Sequence, residues 1–126
     1  MLRQGPIPVS LHGIIEYLAG VLCIAAPFIF AFDSGAATAA SIVAGVVILA
    51  MAAVTTGPTS LVNSLPVAVH VVLDFILAGV FIAAPFVFDF SSEGPATAFF
   101  LIVGVAHLLI TIGTRFEKRR TYSARA

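Results

Sequence analysis

Uncharged, apolar runs dominate the chain. No Asp, Glu, Lys or Arg falls between Ser34 and Leu73, or between Gly94 and Thr114. About 20 apolar residues cross the hydrocarbon core as a helix, so the first run holds one span, a turn and most of another. The turn is marked by Thr56-Gly57-Pro58-Thr59-Ser60 and Asn63-Ser64-Leu65-Pro66. The pattern predicts helices over about 9–31, 37–56, 67–89 and 96–114. Unpaired backbone groups are not tolerated in lipid, and the runs lack the alternation of barrel strands, so helices are expected throughout.

The pattern also repeats. Moving along by 58 positions aligns Pro8 with Pro66, His12 with His70, Glu16 with Asp74 and Pro27 with Pro85. Ile24-Ala25-Ala26-Pro27-Phe28 thereby faces Ile82-Ala83-Ala84-Pro85-Phe86. After one inserted residue, an offset of 59 pairs Ala37-Thr38 with Ala96-Thr97, Gly45-Val46 with Gly104-Val105, and Thr55 with Thr114. The expected fold is all-α: a four-transmembrane-helix bundle of two tandem, parallel helical-hairpin repeats. One membrane domain, 1–126, would hold repeat one at about 8–56, repeat two at about 66–114 and a basic tail at 115–126.

Composition strengthens this picture. The chain is 60% hydrophobic and 10% charged. A soluble domain needs roughly a quarter of its residues charged, so no soluble surface can be built. A signal peptide is not expected, although Arg3 precedes the first apolar run and Ala37-Thr38-Ala39 resembles a cleavage site. The run is too long for a signal core and recurs near residue 80.

Charge placement sets the expected orientation. Arg3 precedes the first helix, and Arg115, Lys118, Arg119, Arg120 and Arg125 follow the fourth, whereas the opposite loops carry Asp33, Asp89 and Glu93. The positive-inside rule puts both termini in the cytoplasm. The tail is expected to fix topology and touch anionic headgroups, with no nucleic-acid role.

Candidate chemistry is concentrated in Pro-x3-His-x3-(Glu/Asp), at Pro8/His12/Glu16 and again at Pro66/His70/Asp74. Each Pro presets the first helical turn, and each His shares a helix face with its acid. His107, where repeat one has Ile48, falls near the same depth. His12, Glu16, His70, Asp74 and His107 could therefore form one polar layer near the cytoplasmic face. Three roles suit such a layer. It could dock the hairpins structurally, hold zinc, iron or manganese, or handle protons or ions.

Other features carry structural expectations. Pro27 and Pro85 should kink or end their helices near the outer face, with the following Phe residues anchoring there. The alternation Phe28/Phe30/Phe32 also admits an extended stretch. Ala36 to Ala40, Ala44 and Gly45 are expected to let helices approach closely, as are Gly20 and Gly79. Cys23, the sole cysteine, permits no internal disulfide and suits a small core position. No phosphate loop, nucleophile elbow or Cys/His ligand string is present.

The doubled pattern resembles the Ser-Pro-Trp (SPW) repeat family of small bacterial membrane proteins, from Pro8 to Thr114. The resemblance rests on Pro8, His12, Glu16 and Pro27, and on Pro66, His70, Asp74 and Pro85. Both Ser-Pro-Trp strings here read Ala-Pro-Phe, at Ala26-Pro27-Phe28 and Ala84-Pro85-Phe86, and the first acid is Glu rather than Asp. The resemblance implies a multi-pass protein of the bacterial cytoplasmic membrane and no particular activity.

Taken with small size and absent catalytic motifs, these features lead to one principal expectation. It is a non-enzymatic structural or accessory membrane protein without cofactors, assembling with itself or a larger membrane complex. The alternative is a metal- or proton-handling protein using the His/carboxylate layer. An enzyme acting on lipid or quinone has no motif behind it.

Overall fold

A computed structural model describes residues 5–116. Four helices follow in order: α1 (Val9–Ile29), α2 (Gly35–Val54), α3 (Val67–Val87) and α4 (Gly94–Gly113). Each is long and apolar enough to cross a bilayer. Two-residue strands, β1 (Ile7–Pro8) and β2 (Thr114–Arg115), pair in parallel. Arg3 and the tail residues Lys118, Arg119, Arg120 and Arg125 lie outside the described residues, while Arg115 closes β2 at the end of the bundle where α1 begins and α4 ends.

α1 and α3 begin where expected, and the other helix ends differ from the expected ones by one or two residues. Pro8 and Pro66 occupy the N-cap positions of α1 and α3, in extended conformation. At the far end, α1 and α3 stop two residues beyond Pro27 and Pro85. Ala31 and Asp89 have positive φ, 50° and 56°. Phe32 N–H donates to the Pro27 carbonyl and Phe90 N–H to that of Pro85. This is a Schellman stop, usually built on Gly. Phe28 and Ile29 are helical and Phe30–Ala31 turn, so no extended stretch follows the proline.

Ala at a left-handed position is strained by roughly 1–2 kcal/mol, partly offset by its smaller entropy loss than Gly. Ala31→Gly should therefore stabilise the fold by up to about 1 kcal/mol. Unfolding in mixed micelles would show it, and a destabilised variant would refute the assignment of strain.

Proline also exposes a carbonyl. Pro27 has no N–H to give Cys23, four residues back, and the Ser41 hydroxyl of α2 donates to that carbonyl instead, at 2.5 Å. Ser41 and Cys23 are both fully buried. In repeat two Phe100 takes the place of Ser41, and packs at 5.4 Å from Phe81 and 5.0 Å from Phe90.

Within each hairpin the helices pack intimately. A Cβ on Gly45 would stand 2.6 Å from the Gly20 carbonyl, and one on Gly104 2.8 Å from Ile82. Gly79 is a correction: a Cβ there meets nothing within 4 Å, because the contact position in α3 is Ala78.

The hydrogen bonds between the two hairpins lie at their two ends. At the far end, the Glu93 carboxylate accepts the backbone N–H groups of Asp33 and Ser34, at 2.6 and 2.8 Å. It thereby also places negative charge at the N-terminus of α2. At the other end lies the polar layer. Between them the core is apolar, with Ile48, Phe81, Phe90 and Phe100 buried among small residues. Outward-facing Leu18, Val21, Phe28, Val43, Ile102 and Leu109 are exposed, as a lipid-covered surface requires.

Candidate functional site

The five candidate residues converge at the end of the bundle where α1 begins and α4 ends. His12 and Glu16 come from α1, His70 and Asp74 from α3, and His107 from α4. Relative exposures are 2%, 4%, 3%, 0% and 9% in that order, so the layer is dry enough for its electrostatics to be strong.

Four groups form a ring of alternating nitrogen and oxygen. His12 Nε2 lies 3.2 Å from Glu16 Oε1 and 3.2 Å from Asp74 Oδ2. His70 Nε2 lies 2.7 Å from Glu16 Oε1 and 3.2 Å from Asp74 Oδ2. Thus each acid meets both histidines, its own i, i+4 neighbour and the one from the other repeat. The axial step of about 6 Å between His and acid is closed by the side chains, giving a single layer. Asp74 alone has a third partner, His107 Nε2 at 3.2 Å from Oδ1.

The far nitrogens of the two histidines are held by threonines. His12 Nδ1 is 2.8 Å from Thr114 Oγ1, and His70 Nδ1 is 2.6 Å from Thr55 Oγ1. Each threonine hydroxyl donates its one proton to a carbonyl four residues back, Ile110 and Met51 respectively, both at 2.6 Å. The threonine oxygen must then accept from Nδ1–H. Both histidines are so fixed with Nδ1 protonated and Nε2 turned to the carboxylates.

The threonines are the residues that sequence reasoning missed. Their signal was present, since Thr55 and Thr114 align in the repeat. They follow α2 and α4, where Thr55 bridges to Leu65 and Thr114 pairs with Ile7. The chain returning to start α3 or α1 is thereby tied to the same residue that holds the histidine. Phe116 covers the layer, its ring centred 5.1 Å from that of His12.

A cavity of about 30 Å³ opens beside the ring, lined by His12, Glu16, His70, Thr55 and Phe116 among others. It has room for one or two waters. A second, larger recess lies elsewhere. It is an apolar groove of about 510 Å³ between α2 and α3, bounded by Ala36, Ala40, Ala44, Leu77, Val80 and Phe88.

Four apolar spans with almost no polar surface define a multi-pass membrane protein in a lipid bilayer. The SPW repeat domain matches residues 10–114, nearly the whole of the described chain, and the protein belongs to the SPW repeat family. No curated protein and no solved structure matches it.

Proposed function

We propose that the protein is a non-catalytic accessory component of the bacterial cytoplasmic membrane, with both termini inside, that assembles through α2. The supporting observation is the α2–α3 groove and its contrast with the register-equivalent place in the other hairpin pairing. There Phe99 and Val103 of α4 stand for Ala40 and Ala44, and Phe99 is buried against Phe30 and Phe32. Ala40 and Ala44 leave that space open to the bilayer.

Ala36, Ala40 and Ala44 recur every four residues along the groove. Small residues at this spacing allow backbones of neighbouring spans to approach, which is how helices associate without a hydrophobic driving force. The occupant proposed is α2 of a second copy, because one such stripe is self-complementary about a two-fold axis. The His/carboxylate layer supports a second, separate reading as a metal or proton site.

Native mass spectrometry of protein extracted from its own membranes in mild detergent tests assembly. A defined dimer is expected, and Ala40→Phe should fill the groove and return the protein to monomer with helix content unchanged. A heteromeric complex lost in Ala40→Phe would replace the second copy with another membrane protein. A wild-type monomer with no partner would refute assembly altogether.

A further inference from the structure

We propose that His12, Glu16, His70 and Asp74 bind one divalent transition-metal ion, of which zinc fits the ligand set best. The inference goes beyond assembly through α2 and does not depend on it.

The first ground is the ligand set. One donor atom from each of the four residues lies within 4.8 Å of the others, and all four are buried. The four nitrogen–oxygen separations run from 2.7 to 3.2 Å. A tetrahedral site with bonds of about 2.0–2.1 Å has six edges of roughly 3.3 Å, and the four nitrogen–oxygen edges here are close to that length. Two imidazoles and two carboxylates suit zinc, iron or manganese, whereas calcium and magnesium prefer all-oxygen shells.

The second ground is what holds the histidines. A ligating histidine ordinarily donates its other ring N–H to an oxygen that fixes its tautomer and orientation. Thr114 and Thr55 do this for His12 and His70. His107 holds the outer oxygen of Asp74 in the same way, leaving Oδ2 turned inward.

The third ground is an unmet need at the centre. With Nδ1 protonated, each imidazole turns Nε2 to carboxylate oxygens, a contact made favourable by a proton on Nε2 or by a bound cation. A proton serves between His70 Nε2 and Glu16 Oε1, which are hydrogen-bonded at 2.7 Å. However, His12 Nε2 and Asp74 Oδ2, although 3.2 Å apart and fully buried, make no hydrogen bond with acceptable geometry. Both belong to the set of four donor residues whose ligand atoms lie within 4.8 Å of one another. A divalent ion would satisfy them together, and its charge would cancel those of Glu16 and Asp74, leaving a neutral site within the membrane. The small cavity beside the ring offers an approach from the end where α1 and α3 begin.

The test is titration of the full-length, chelator-stripped protein in mild detergent with Co²⁺ and then Zn²⁺. Expected are one equivalent per chain, a visible d–d absorption of four-coordinate Co²⁺, and its loss on adding Zn²⁺. His12→Gln, which keeps bulk and polarity, should weaken binding by more than the roughly 10–100-fold typical of removing an outer hydrogen-bond partner. Thr114→Val, which touches no metal, should fall within that range and covers the case in which His12→Gln misfolds. Ala40→Phe should bind as the wild type does, whether or not it is monomeric. Wild-type protein of native helix content that takes up neither ion would overturn the proposal. So would uptake unchanged in His12→Gln and Thr114→Val.

Discussion

Replacing Asp74 with Ala is expected to cost about 3–5 kcal/mol, the range for removing one partner of a buried ionic cluster. Asp74 is fully buried and lies 3.2 Å from each of three histidines, His12, His70 and His107. Its removal leaves those rings facing one another around a void with only Glu16 for company. The loss should be specific in kind as well as large. Each hairpin keeps its own helix–helix packing, whereas the layer crosses between hairpins at this end, beside the short β1–β2 pairing. Helix content should therefore survive while docking of the hairpins is lost. Unfolding monitored by steric trapping, with probes placed one on each hairpin, would separate the two effects. A cost below about 1 kcal/mol would mean that the layer does not hold the hairpins together.

Gly45→Leu carries the second large effect, on the packing inside one hairpin. A Cβ at Gly45 would stand 2.6 Å from the Gly20 carbonyl and 3.0 Å from the Ile24 nitrogen, both backbone atoms that cannot turn aside. The helices must separate, and overpacking of this kind costs about 1–3 kcal/mol or more. Alanine already suffices to rank positions. Among Gly45, Gly104 and Gly79, Gly45→Ala should be the most damaging and Gly104→Ala milder, because the nearest neighbours of Gly104 are the Ile82 and Phe81 side chains. Gly79→Ala, with open space around it, should be neutral or slightly stabilising through helix propensity. A different order in detergent unfolding midpoints would show that these approaches do not set the helix spacing.

The spans were legible because charge is excluded from them, and the polar layer because equal spacing from Pro8 and Pro66 puts His12 and His70 at one depth. Helix ends were less so. The stop after α1 falls on Ala31, which has none of glycine's conformational freedom to announce it. Gly79 was misjudged because a glycine in an apolar run looks like a contact, whereas the register of the repeat sets Ala78 against Gly104. Glu93 read as one loop charge, but folding brings it to the start of α2 in the other hairpin. The groove depends on a difference between repeats, Ala40 against Phe99, and only packing shows what an absent side chain leaves open.

The exchange of partners in the polar layer has a consequence for what the tandem chain makes possible. His12 depends on Thr114 and His70 on Thr55, so neither half of the chain contains a complete set of supports for its own histidine. Two separate identical hairpins could complete each other's sets, but they would have to do so identically. They would carry two copies of His107 or none, and the same acid twice. Covalent linkage removes that obligation. It lets Glu16 face two histidines while Asp74 faces three, so that the midpoint of a nearly symmetric molecule has a sense of direction.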